Sequence, residues 1–346
     1  MKNATIAAAA DVDEQRVRGF LQDFKIKRFY TDPIRMLDEV DLDAVVIAVP
    51  HGLHAKMTIE ALKRDVNVLV EKPMATNTQS AMKMIDTARA RKKVLMVGHA
   101  MRFQRQLQLG RELYVQGKLG KVYHASGCFL RTRGMPSNST FLRKALANGG
   151  VLFDLGSHVL DCALFMLDFP TPVSALGRAS AIFADRLDMR MNYPQPIGAF
   201  RGPSEVDDFA YGLVTFENGT RFYLETCWAS YLKEDKLNLI LLGDKGGINS
   251  DHETLHFMES RNGEFMTSTP YAGGELQPKT PQPTTYQGDM ELFLRLVRNN
   301  DYKIPYPGCS GNQALLNVAI IESIYRSTKS GKEEKIEIPR AYLRVR

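Results

Sequence analysis

The sequence predicts an α/β protein: a parallel sheet covered by helices over residues 1–120, then an α+β unit with a mostly antiparallel sheet over 121–346. Through the first hundred residues apolar runs alternate with helical spacing, a pattern that builds a parallel sheet between helical layers. Beyond residue 120 strand-like segments follow one another and helices become few. A chain of 346 residues buries a large core and divides readily into two units.

The elements follow in order. "ATIAAAA" (4–10) is a short strand, "DEQRVRGFLQDF" (13–24) a helix and "KRFY" (27–30) a strand. "DAVVIAVP" (43–50) is almost continuously apolar, as a strand buried on both faces must be. A helix over 53–64, a strand over 67–73, a helix over 80–91 and a strand over 93–99 complete the series, with Ala81, Met84, Ile85 and Ala88 on one helical stripe. In the second unit, strands are expected within 121–132, 172–184, 207–229, 236–250 and 254–259, and helices at 157–167, 289–298 and 312–328. "ENGT" (217–220) predicts a two-residue hairpin connection, because Asn-Gly accepts positive φ. "GDKGG" (243–247) is a turn, and the loops 185–206 and 263–287 are candidates for a substrate rim or subunit contact.

Composition narrows the function. Hydrophobic residues are 44% and charged residues 24%, and the net charge is +6. The basic residues are scattered, and "RARKK" (89–93) stands where cations favour a helix end, so no nucleic-acid partner is expected. No stretch reaches 18 uninterrupted apolar residues, so no membrane partner is expected either. Cys128, Cys162, Cys227 and Cys309 lie far apart without CxxC pairing, which suits reduced thiols and a cytoplasmic location.

Ligands of open α/β sheets sit outside the carboxyl ends of the strands. That selects Asp11, "PHGLH" (50–54), "EKP" (71–73) and "GHAMRF" (98–103). Asp11 either accepts both hydroxyls of a ribose or caps the helix behind it. Lys72, restricted by Pro73, is either a fixed ammonium that stabilises charge on an oxygen or half of a Glu71–Lys72 surface pair. "ANGGVLFDLGSHVLDCALFMLD" (147–168) is the densest constellation: Gly149 and Gly150 permit close approach, while Asp154, His158 and Asp161 share one helical face. Asp154 one turn before His158 would fix its tautomer, as a general base requires. A satisfied structural network and a metal site, drawing on His51, His54 or His99, compete with that reading. Arg131 and Arg133, in "LRTRGMP", are candidates to contact a polyol or an anionic substituent, or are surface residues at a strand end.

Three segments resemble one family in order and spacing: "DLDAVVIAVPHGLHAKMTIEALKRDVNVLVEKPMA" (41–75), "GHAMRFQRQLQLGRELYVQGKLGKVYHA" (98–125) and "GGVLFDLGSHVLD" (149–161). The chain is similar to the glucose-fructose oxidoreductase, inositol dehydrogenase and rhizopine-catabolism oxidoreductase family. The resemblance implies a Rossmann-like first unit and an NAD(P)-dependent dehydrogenase or reductase acting on a sugar, cyclitol or related ring. It places catalysis at Lys72, Asp154 and His158, and the cofactor, NAD rather than NADP, at Asp11, Ala48, Val49, Pro50, His54, Glu71, Lys72 and Pro73. It further implies a cis Lys72–Pro73 bond, a polyhydroxylated substrate and a homodimer or homotetramer. The chain departs from the pattern at its start, where the family's first strand and glycine-rich turn would precede Met1. An upstream start of the reading frame is one expectation, and a shortened noncatalytic relative keeping a substrate-like cleft is the alternative. A glycosidase using NAD-assisted oxidation and elimination is a third reading.

Overall fold

The computed structural model describes residues 4–14, 18, 24, 26, 28–192, 199–251, 254–272 and 285–343. Strands β1 (Ala9–Ala10) and β2 (Phe29–Tyr30) pair in parallel as a small sheet of their own. The helix expected over 13–24 lies largely outside the described residues. Helix α1 (Pro33–Glu39) starts where Asp32 accepts a hydrogen bond from the Ile34 N–H at 2.8 Å, with Pro33 in the first turn.

The main parallel sheet joins β3 (Ala44–Ile47), β4 (Asn67–Glu71) and β5 (Leu95–Gly98), with α2 (His54–Lys63) and α3 (Thr78–Arg91) between them. Asn77 caps α3 through the Ser80 N–H, and the expected stripe of Ala81, Met84, Ile85 and Ala88 is buried. Val68 and Val70 are fully enclosed, as a central strand covered on both faces requires. Edge strand β3 makes no ladder with β1 among the described residues, and Val46 on it is 48% exposed.

Helix α4 (Arg105–Val115) leads into a nine-stranded sheet. Its strands are β6 (Val122–Leu130), β7 (Pro172–Ser180), β8 (Phe209–Phe216), β9 (Arg221–Cys227), β10 (Lys236–Gly243), β11 (Gly246–Ser250), β12 (Thr254–Arg261), β13 (Glu264–Ala272) and β15 (Glu334–Lys335). They run in the order β13-β12-β11-β10-β6-β9-β8-β7-β15, antiparallel except for the β6–β9 pair. Two short helices, α5 (Ser139–Leu142) and α6 (Lys144–Ala147), precede a π-helical turn at Leu152–Gly156 and the almost wholly buried α7 (Ser157–Met166).

Three expectations change. The loop expected over 263–287 begins instead as β13, paired with β12. The β8–β9 hairpin forms, but its loop is Glu217–Gly219: the Gly219 N–H returns to the Phe216 carbonyl, and only Gly219 has positive φ, at 85°. A type I turn closed by a left-handed glycine replaces the two-residue connection, because the Asn218 side chain accepts the Thr220 N–H and needs no left-handed backbone. Third, the unit expected over 121–346 does not stay on its own sheet. Helix α8 (Thr285–Arg298) packs Leu292, Phe293 and Leu296 against Leu69, Val94 and Met96; β14 (Cys309–Ser310) pairs with β5; and α9 (Gly311–Ser330) lies on α3.

The glycine pair before the π-turn is required by contact. A Cβ on Gly150 would stand 1.8 Å from the Asp207 carbonyl oxygen, while Asp207's carboxylate accepts the Gly150 and Leu152 N–H groups at 2.8 and 3.1 Å. Gly150→Ala is therefore expected to cost about 3 kcal/mol or more, by overpacking a site that cannot relax. A denaturant midpoint equal to wild type would refute this.

Candidate active site

The site forms where the π-turn and α7 of the second unit meet the end of β4. The Lys72–Pro73 bond is cis, and the lysine side chain reaches Asp154, 82 residues on. Lys72 Nζ donates to Asp154 Oδ1 at 2.8 Å and to the Asp154 carbonyl oxygen at 3.1 Å. An ammonium has three N–H donors, so with two directed at Asp154 one remains for a ligand. The other carboxylate oxygen, Oδ2, accepts the Trp228 indole N–H at 2.9 Å. Burial alone would push the Asp154 carboxyl up, but the Lys72 ammonium, its hydrogen bond and the indole hold it well below the usual carboxylate range.

His158 lies one turn beyond Asp154, yet the expected tautomer-fixing bond between them is absent among the described residues. Asp154's oxygens are taken by Lys72 and Trp228, and His158 Nδ1 is buried without a partner. The π-turn carries Asp154 toward the lysine, so the carboxylate serves the ammonium rather than the imidazole. Burial and then the nearby ammonium push the His158 pKa well below that of a free imidazole, so the ring is a neutral proton acceptor at physiological pH. Asp161 does not join them. Arg102, wholly buried, donates to both of its oxygens at 2.8 and 2.6 Å. His99, Asp161 and Cys309 bring their donor atoms within 4.8 Å of one another, but that guanidinium already neutralises the carboxylate, which disfavours a cation there.

Residues 1–99 match the model described as "Oxidoreductase family, NAD-binding Rossmann fold", and residues 107–249 match the "GFO/IDH/MocA C-terminal domain". The chain belongs to the GFO/IDH/MocA family of oxidoreductases. D-glucoside 3-dehydrogenase of Escherichia coli is 28% identical over 94% of this chain and 88% of its own length. The NAD(+)-dependent scyllo-inositol 2-dehydrogenase of Bacillus subtilis is 22% identical over 98% of this chain and 91% of its own. The crystal structure of an oxidoreductase domain protein from Kribbella flavida superposes with a TM-score of 0.82 at 22% identity, covering 96% of this chain and 91% of that one, and shows the same fold.

As a GFO/IDH/MocA oxidoreductase, the chain has an NAD(P) site, and its residues fit a nicotinamide cofactor. Asp11, the Ala48-Val49-Pro50 run and Glu71–Lys72 each end or follow a parallel strand. Two buried imidazole nitrogens, His51 Nδ1 and His158 Nδ1, have no protein partner, as polar atoms left for a ligand would not. Asp11 Oδ1 accepts the Asp13 N–H at 2.9 Å, the local side-chain bond expected where an Asp precedes a helix. His54, expected among the cofactor contacts, is 1% exposed, with its ring nitrogens 2.7 Å from the Pro73 carbonyl and 2.8 Å from that of Val49. Burial lowers its pKa, so the neutral ring has one N–H and donates to only one of these carbonyls, its other nitrogen packing against the second turn. Burial raises the Glu71 carboxyl above its ordinary value, and the group lies against Gly98.

Of the two arginines, Arg131 acts on His158 electrostatically and lies over the Phe129 ring, whereas Arg133 is exposed and acts on Asp188. Sequence reasoning did not find Trp228, Arg102 or Asp207. The single tryptophan and a basic residue inside "GHAMRF" were signals in plain view, but neither has a periodic pattern that reveals its partner.

Proposed function

We propose that the protein transfers a hydride between a nicotinamide cofactor and a secondary carbon of a sugar, cyclitol or related hydroxylated ring. The observation that carries this reading is one ammonium with a free donor, at Lys72, near a neutral imidazole, at His158, whose Nδ1 has no hydrogen-bond partner. In oxidation His158 takes the hydroxyl proton, Lys72 steadies the oxygen as its charge develops, and Asp154 keeps the ammonium aimed. In reduction the same groups return the proton. When bound, the nicotinamide accepts or supplies the hydride. The D-glucoside and inositol dehydrogenases among its relatives support a ring substrate with several hydroxyls. The test is a screen of glucosides, inositols and anhydro sugars for absorbance change at the reduced nicotinamide band. No turnover in either direction on any ring, by protein that binds the cofactor, would sink the reading.

For the cofactor we infer NAD, with Asp11 on the adenosine ribose, where its charge repels a 2′-phosphate. Asp11→Ser is expected to weaken NAD by about 10-fold and to narrow the NAD/NADP ratio. An unchanged ratio would leave Asp11 as a cap alone. We further infer a cytoplasmic homo-oligomer paired through the open sheet face, where Leu176, Leu213 and Tyr223 form one exposed cross-strand row.

A further inference from the structure

We propose that Trp228 is a positioning residue: its indole N–H clamps the carboxylate of Asp154 so that the second unit's sheet sets the aim of Lys72, a residue of the cofactor unit. This rests on the oxidoreductase reading. Trp228 stands one residue past β9, and its own backbone is pinned: its N–H donates to the Asp208 carbonyl at 2.9 Å, and its carbonyl accepts the Gly134 N–H at 2.7 Å. Ala229 beside it bridges to Arg133. The ring is wholly buried. Phenylalanine or leucine would fill such a volume without introducing a donor that must be satisfied, so the indole nitrogen has a reason to be there. Its acceptor is the same carboxylate that receives Lys72.

The clamp explains how Asp154 can serve Lys72 from a π-turn. A carboxylate held at one oxygen only rotates about its χ2 torsion; held at both, it presents a fixed acceptor to the ammonium. The charged or titratable groups around it are Lys72 at the end of β4, His158 on α7 and His51 in the turn after β3. None of these donates to Oδ2 among the described residues, so that oxygen depends on the indole.

The experiment combines kinetics with the emission of the chain's one tryptophan. Trp228→Phe is expected to lower kcat by about 10- to 100-fold, the range found for partners that orient a reacting group, with cofactor KM changed by less than about threefold. Added to Asp154→Asn, the same change should cost little more, since the indole acts only through the carboxylate. An equal loss in both backgrounds would overturn the positioning role and leave Trp228 as packing.

A second measurement covers a Trp228→Phe chain that does not fold. In Lys72→Met the Asp154 proton comes on within the accessible acid range, and the tryptophan emission should follow that single-proton step. In Lys72→Met/Asp154→Asn it should not. Identical emission profiles in those two variants overturn the proposal. This titration needs no substrate, so it still decides whether indole and carboxylate act as a unit if the wild-type protein turns over none of the rings.

Discussion

His158→Ala is expected to lower kcat/KM for ring oxidation by about 10²- to 10⁴-fold, the usual contribution of a placed general base. Cofactor affinity should change little, because the loss falls on proton transfer. The pH profile gives a sharper check. Burial and Lys72 depress the wild-type imidazole's pKa, so the ring remains in its active neutral form below the ordinary value of about 6.5, and the acid limb of kcat/KM lies on that side. That limb should vanish in the alanine variant. If His158→Ala retained both turnover and the limb, the base would have to be sought elsewhere in the cleft, with His51 the next neutral imidazole, its pKa pushed down to about 3 by burial.

Lys72→Met should be the more damaging change, acting on both chemistry and stability. Loss of the donor at the developing oxyanion is expected to cost about 10²- to 10³-fold in kcat. The same substitution strips Asp154 of its counter-charge in a site where both side chains are only 14% exposed, so stability at neutral pH should fall by about 3–5 kcal/mol. The pH dependence changes sign. In the wild type Asp154's pKa is depressed, so its stabilisation is present above the ordinary carboxylate value and is lost as pH falls through the lower, folded value. Without Lys72, burial dominates and raises that pKa above its unfolded value, so the penalty grows as pH rises and shrinks in mild acid. Thermal melts from acid to neutral pH should show the gap between variant and wild type narrowing toward acid. A gap independent of pH would mean that Lys72 and Asp154 are not electrostatically paired.

Much of the frame was legible because burial leaves a period in the sequence. The Ala81–Ala88 stripe, the enclosed "NVLVE" strand and the order of parallel and antiparallel segments follow from it. The resemblance named Lys72, Asp154 and His158 together but gave the carboxylate to the imidazole; its bond to Lys72 was not foreseen, since nothing local links residues so far apart. Periodicity names a buried face without naming what covers it. For that reason the turn of His54 onto two carbonyls, the bond from Arg102 to Asp161 and the indole on Asp154 escaped notice. The helical spacing of Asp154 and His158 was right, but the inference that spacing makes a bond was not, because a stronger cation competed for the carboxylate.

The return of α8, β14 and α9 to the parallel sheet has a bearing on how the chain is born. Leu69 and Met96 are made first, while Leu292, Phe293 and Leu296, which cover them, follow about two hundred residues later. Until those late helices leave the ribosome, one face of the cofactor half stays wet and adhesive. The half that comes first from the ribosome is thus not the first to be finished, and the interval of synthesis between them is when chaperones have most to protect.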